Sequence, residues 1–184
     1  MSRLNIPSSI ESSPPGSQAS LGAVARSLGS VPNLFRLVAN SPAALKGYLA
    51  LSGAVASSTL DPKTQERVAL VVAEQNGCDY CLSAHTYLGR NVATLDDAEI
   101  TANRNGSSND MQAAAAVRFA AQLVRSRGHL ADADVQAVKA AGYSDAQIVE
   151  IVLAVALNTF TNYVNEVART EIDFPVVNTT RVAA

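Results

Sequence analysis

DPKTQERVALVVAEQNGCDYCLSAHTYLGR, residues 61–90, decides the fold of this 184-residue chain. Asp61 followed by Pro62 reads as a helix start. The aspartate side chain accepts from free first-turn amides, and proline is tolerated there because its missing N–H would have no intrahelical partner. The run RVALVVA then carries apolar residues through a helical stretch, with no strand-like alternation. Asn76-Gly77 is a helix-stop or turn dipeptide, since glycine takes the left-handed cap conformation without a Cβ clash. A new helix is therefore expected to open at the cysteines. Positions 78, 81 and 85 are separated by three and four, which places two sulfurs and one imidazole on a common stripe.

Working outward from this stretch, helical patterns succeed one another with short breaks, and no run of alternating β-branched residues bounded by hairpin turns occurs. The chain is expected to be all-α. Further helix starts stand at Ser41-Pro42, Asn109-Asp110 and Ser144 or Asp145. Helices are predicted at roughly 21–28, 42–57, 61–75, 79–90, 96–103, 110–127, 132–141 and 145–169. Residues 1–20 are rich in Ser and Pro and lack apolar periodicity, so they are expected to form an N-terminal arm, either flexible or wrapped over another subunit. Residues 21–184 are expected to form a single helical domain. Overlaying the chain on itself at an offset of 84 places Asp61 on Asp145, Glu66 on Glu150, Val68 on Val152 and Val71 on Val155, a weak internal repeat. The same offset sets Asn162, Asn165 and Arg169 against Cys78, Cys81 and His85.

Composition narrows the function. The formal net charge is −2 with scattered basic residues, so no phosphate-neutralising stripe exists and nucleic-acid binding is not expected. The apolar run from Ile148 to Leu157 is too short to cross a bilayer, and no membrane association is expected. The N-terminal MSRLNIPSSIESSPPGS lacks the apolar core of a secretory signal, which predicts a cytoplasmic protein. In that compartment a pair of cysteines points to catalysis or metal binding ahead of a structural disulfide.

The chemistry follows from the stripe. A thiolate is the nucleophile towards peroxide oxygen, and the positive end of a helix lowers a cysteine's pKa. His85, one turn beyond Cys81, can relay a proton at neutral pH. After attack the oxidised sulfur is a sulfenic acid, and a second thiol one turn away can condense with it to a disulfide. Glu66 and Glu74 both lie in the preceding helix and both can orient His85, and spacing does not decide between them. A zinc site built on Cys78, Cys81 and His85 is the rival reading, in want of a fourth ligand. The other histidine, His129, follows Arg127-Gly128 at an apparent helix end and suits a surface role. Asn158, Asn162, Asn165 and Glu166 form a polar band late in the last long helix, expected to cap a buried network or to face another subunit.

Glu66 through Cys78, Tyr80, Cys81 and His85, the pattern E-x11-C-x-Y-C-x3-H, resembles the alkylhydroperoxidase (AhpD-like) branch of the carboxymuconolactone decarboxylase family. VPNLFR at 31–36, NSP at 40–42 and NEVARTEIDFP at 165–175 resemble its peroxidase-related members. The resemblance implies an AhpD-like all-α fold and a thiol-dependent peroxidase that reduces organic hydroperoxides in antioxidant defence. It implies a redox-active disulfide cycle, with Cys81 attacking peroxide, Cys78 forming the disulfide, and Glu66 with His85 relaying protons. It also implies an external dithiol reductant, a trimeric or hexameric homo-oligomer, and no bound metal or cofactor. The founding pattern has histidine where this chain has Tyr80, which is read both as a hydrogen-bond donor near the thiolate and as a packing residue. Two other functions fit the same residues: a decarboxylase-like lyase that does not use the cysteines, and a non-enzymatic redox sensor.

Overall fold

The computed structural model describes residues 2–180, which form nine α-helices and no strands. They are α1 (Pro15–Leu28), α2 (Asn33–Val38), α3 (Pro42–Ala56), α4 (Pro62–Asn76), α5 (Asp79–Asn91), α6 (Asp97–Arg104), α7 (Met111–Ser126), α8 (Asp132–Ala140) and α9 (Asp145–Ala168). The helices start where short polar side chains can hold the free amides of a first turn. Ser41, Asp61, Asp96, Asp110 and Ser144 each accept such a bond.

α4 is the central strut. Every residue from Arg67 to Glu74 is buried, as expected of a helix enclosed on all sides. Val68, Val71 and Val72 pack with Ala116, Val117 and Ala120 of α7, Val138 of α8, and Ile151, Ala154 and Val155 of α9. Leu70 and Ala73 belong to a second cluster with Leu21 of α1, Leu34 and Val38 of α2, Leu45 of α3, and Tyr80, Cys81 and Leu82 of α5. The thiols are thus core residues of the second cluster.

Two buried charges on α4 are satisfied by α6. Arg67 Nε donates to Glu99 Oε1 at 2.7 Å, and Glu74 Oε2 accepts from Arg104 Nε at 2.8 Å. Glu99 also accepts from Asn103 Nδ2 at 2.9 Å and from the Asn109 amide at 2.7 Å, so this one carboxylate gathers α4, α6 and the turn into α7. Burial pushes its pKa up, but hydrogen bonds from Ser108, Asn103, Asn109 and Arg67 outweigh that and bring it down to about 2. Glu99→Ala is expected to cost about 3–5 kcal/mol in urea unfolding, because Arg67 is left buried without its partner. Since the folded carboxyl titrates below its ordinary value of 4.5, Glu99 stabilises fully above that pH, and the contribution fades as pH falls towards 2.

Several elements differ from the sequence reading. α1 starts at Pro15, not near residue 21, because Pro15 supplies a preset first-turn φ that a Ser/Pro-rich composition conceals. The residues expected as an arm lie, from Ser2 onward, on this chain's own body: Ser2 Oγ and the Arg3 amide both donate to the Ala168 carbonyl, at 2.9 and 2.6 Å. α2, only six residues long, was not foreseen. The 84-residue overlay is not continued by the architecture, since α4 ends at Gly77 (φ 69°) whereas α9 runs on to Ala168.

α9, at 24 residues, is the one described helix long and apolar enough by length and composition to cross a membrane. Here it serves as a core helix: Ile151, Ala154 and Val155 enter the first cluster, and Asn158, Thr161, Asn162 and Asn165 are buried beyond them. Its outer side exposes Val149, Val152, Phe160, Tyr163 and Val167.

Candidate active site

Gly77, in the left-handed conformation, turns the chain so that Cys78 becomes the N-cap of α5. Its sulfur does what a serine oxygen does at such a position, accepting from the Cys81 amide at 3.4 Å. Cys81 therefore sits in the first turn, at the positive end of the helix. Both thiols are free and buried, with Cys78 at 0% and Cys81 at 2% exposure.

The two sulfurs have opposite electrostatics. A hydrogen bond from the Cys78 thiol pulls Cys81 down, and against the opposing effect of burial the charge of His85 and the amides of Asn165 and Asn162 add to it, bringing the thiol to about 6. Cys78 is raised, by its hydrogen bond to Cys81, by burial and by the neighbouring thiolate charge. One proton shared by the pair accordingly resides on Cys78, and the thiolate on Cys81.

Glu66 meets His85, with Oε1 at 2.7 Å from Nδ1. Burial alone would lower the imidazole pKa. The charge of Glu66, its hydrogen bond, the charge of Cys81 and a hydrogen bond with Asn158 together raise it. Glu74, the competing carboxylate, is engaged elsewhere, with Arg104 and with Thr180, whose amide donates to it at 2.7 Å. His129 is exposed beyond the end of α7. Among the described residues no group of three or more His, Cys, Asp or Glu side chains is arranged to hold a metal ion.

Cys81 and His85 open on a cavity of about 590 Å³, walled by Phe35, Tyr48, Tyr80, Tyr87, Leu157 and Phe174. Tyr80 is a clasp. Its oxygen accepts from the Leu34 amide at 3.1 Å, its hydroxyl engages Asp173, and its ring meets Phe174 edge-on at 5.9 Å. It thereby ties α2 and the C-terminal segment together above the thiolate. Asp173 Oδ2 completes the clasp by accepting from the Asn33 amide at 2.7 Å. Glu66 lies instead along a separate groove with Lys63, Leu88 and Val92, so the Glu66–His85 pair links that groove to the cavity.

Sequence reasoning brought Cys78, Cys81, His85 and Glu66 to one place, and the structure joins them. It did not attach the polar band of α9 to the sulfurs, nor anticipate Tyr48, Asp173 and Phe174. Asn165 did carry a signal, because the 84-residue overlay set it against Cys81, and its Nδ2 lies 3.2 Å from that sulfur. Alkylation of Cys81 by iodoacetamide, followed against pH, is expected to reach half its plateau rate near pH 6 and to fall about tenfold per unit below it. A midpoint near the ordinary thiol value of 9.0 would show that the site does not hold a thiolate.

Residues 42–123, which include Glu66, Cys78, Cys81 and His85, match the model of the carboxymuconolactone decarboxylase family. No curated protein matches the chain in sequence. Among solved structures, an uncharacterized peroxidase-related protein from Silicibacter sp. TM1040 is 23% identical, with a TM-score of 0.80 over 92% of this chain and 91% of its own. An uncharacterized peroxidase-related protein with an alkylhydroperoxidase AhpD core, from Ralstonia eutropha JMP134, is 20% identical, with a TM-score of 0.82 over 94% of this chain and 92% of its own. The debrominase Bmp8, in a complex with 2,3,4-tribromopyrrole, is 17% identical with a TM-score of 0.76 over 94% of both chains. The match to the carboxymuconolactone decarboxylase family model thus spans the segment that carries all four site residues, and the fold around that segment is AhpD-like and all-helical.

Proposed function

We propose that this chain is a thiol-dependent peroxidase that reduces organic hydroperoxides through Cys81 and Cys78. The observation that carries the reading is the shared wall of one cavity, where a thiol held low in pKa, hydrogen-bonded to a second thiol, adjoins an imidazole paired to Glu66 at 2.7 Å. The Cys81 thiolate attacks the terminal peroxide oxygen, the O–O bond breaks, and the sulfur is oxidised by two electrons to a sulfenic acid. The departing alkoxide takes a proton held at His85 and leaves as the alcohol. Cys78 then attacks the sulfenic sulfur, the S–O bond breaks, and the hydroxide leaves as water with the Cys78 proton. An external dithiol reduces the disulfide by exchange. The Glu66 groove offers His85 a proton route distinct from the cavity by which peroxide enters.

The test is consumption of cumene hydroperoxide with dithiothreitol as reductant. One molecule of alcohol per disulfide formed, lost on prior alkylation of the cysteines, supports the reading. Absence of consumption, or consumption indifferent to alkylation, rejects it, and a lyase would show its own activity intact after the same alkylation. Reductive dehalogenation is a second reading, favoured by the aromatic-walled cavity over the thiolate and by the fold shared with a debrominase that holds a bromopyrrole. The same dithiol would supply its two electrons, and release of bromide from a brominated pyrrole would reveal it. In this reading the working enzyme is a homo-oligomer, a trimer or a hexamer. A redox sensor requires the assembly to change on oxidation, whereas the peroxidase does not, and sizing both forms separates the two.

A further inference from the structure

We propose that the side-chain amide of Asn165, seconded by that of Asn162, is a catalytic thiolate cradle that makes Cys81, and not Cys78, the nucleophile. The catalytic meaning rests on the peroxidase reading; the thiolate preference can be measured without any peroxide.

Asn165 Nδ2 donates to Cys81 Sγ at 3.2 Å, and a thiolate sulfur can only accept. Asn165 is 1% exposed and Asn162 is 0% exposed, so neither contact is diluted by solvent. Asn162 is pinned from behind, its Oδ1 accepting from Asn76 Nδ2 at 2.8 Å. That leaves its own Nδ2 as a donor with no ordinary hydrogen-bond partner among the described residues, and its amide favours the Cys81 thiolate in the same sense as Asn165. Asn165 Oδ1 is likewise buried and has no hydrogen-bond partner among the described residues. Unpaired buried amides are destabilising, and asparagine is a weak helix former, so neither packing nor helix propensity explains these residues inside α9. Asn158, Asn162 and Asn165 are spaced by four and three, which sets them on one stripe, with Asn158 engaging His85 and Asn165 engaging Cys81.

The next residue acts in the opposite sense on the other sulfur. Glu166 bears on Cys78, and its charge disfavours a thiolate there. α9 thus presents amides to one thiol and a carboxylate to the other. The other groups facing Cys81 are Thr161 on α9, whose Oγ1 lies 4.0 Å from the sulfur, Cys78 and His85 on α5, Glu66 acting through His85 from α4, Tyr48 on α3, and Asp173 acting through Tyr80. Among these groups the positive charge comes from His85, so the amides keep the thiolate available when His85 has given up its proton.

The experiment is the pH dependence of iodoacetamide alkylation of the reduced full-length chain, read at Cys81 by peptide mass spectrometry. Asn165→Ala is expected to raise the midpoint by about one pH unit or more, the loss of one hydrogen bond to a charged group. Asn165→Asp keeps the shape but replaces the donor by an acceptor, and is expected to raise it further. Asn162→Ala is expected to shift it in the same direction by less. If Asn165→Ala does not fold by circular dichroism, the other two variants carry the test. Unchanged midpoints in folded Asn165→Asp and Asn162→Ala overturn the cradle even if the wild type reduces peroxide. Shifted midpoints in a chain that reduces no peroxide uphold the cradle and reject the peroxidase reading alone.

Discussion

Cys81→Ser is expected to lower hydroperoxide turnover on the order of 10³-fold or more, the scale of losing a covalent nucleophile. A serine hydroxyl in the same place has neither the low pKa nor the polarisable sulfur that attacks an O–O bond. Cys78→Ser is expected to behave differently. The first attack survives, because Cys81 still sits in the first turn of α5 facing the same cavity. The sulfenic acid then accumulates for want of a resolving thiol, and dimedone is expected to label Cys81 after a single exposure to peroxide. Rapid-quench kinetics on both variants checks the assignment. Labelling at Cys78 in Cys81→Ser, with turnover preserved, would reverse the two roles.

Glu66→Gln should reduce turnover about 10²-fold, within the range that a positioned proton-transfer system contributes. The glutamate charge is what lifts His85 above its ordinary pKa against the effect of burial, and the charge of His85 is one of the causes that lower Cys81. Removing the carboxylate therefore moves His85 down and Cys81 up. The ascending limb of the pH–rate profile is expected to shift to higher pH, with partial recovery of the rate above it. Combining Glu66→Gln with His85→Ala should cost little more than His85→Ala alone, because the two residues act as one unit. Additive losses in steady-state turnover would show that Glu66 does not act through His85.

Much of the fold was legible because its signals are local. Ser41, Asp61, Asp110 and Ser144 cap helices through their own side chains, and Asn76-Gly77 ends α4. The cysteines follow that stop, so their place at the start of α5 needed no tertiary information. Pairing Glu66 with His85 needed only a helical hairpin, although spacing left Glu74 as a rival. Arg104 and Thr180 remove that rival in the structure, and neither is near it in sequence. The polar band of α9 was visible as an anomaly, but Asn165 reaches Cys81 across 84 residues, a distance that only packing bridges. The cavity wall was illegible for the same reason. Phe174 and Asp173 belong to an irregular segment with no periodicity to read, and Tyr80 holds it through a side chain whose partners, Leu34 and Asp173, lie far off in sequence.

The most direct measurement is a count of free thiols in the fully reduced chain before and after one equivalent of an organic hydroperoxide. Loss of both cysteines, without any intermolecular cross-link on a non-reducing gel, is the predicted result. Retention of both thiols while the hydroperoxide persists would contradict the dithiol peroxidase cycle.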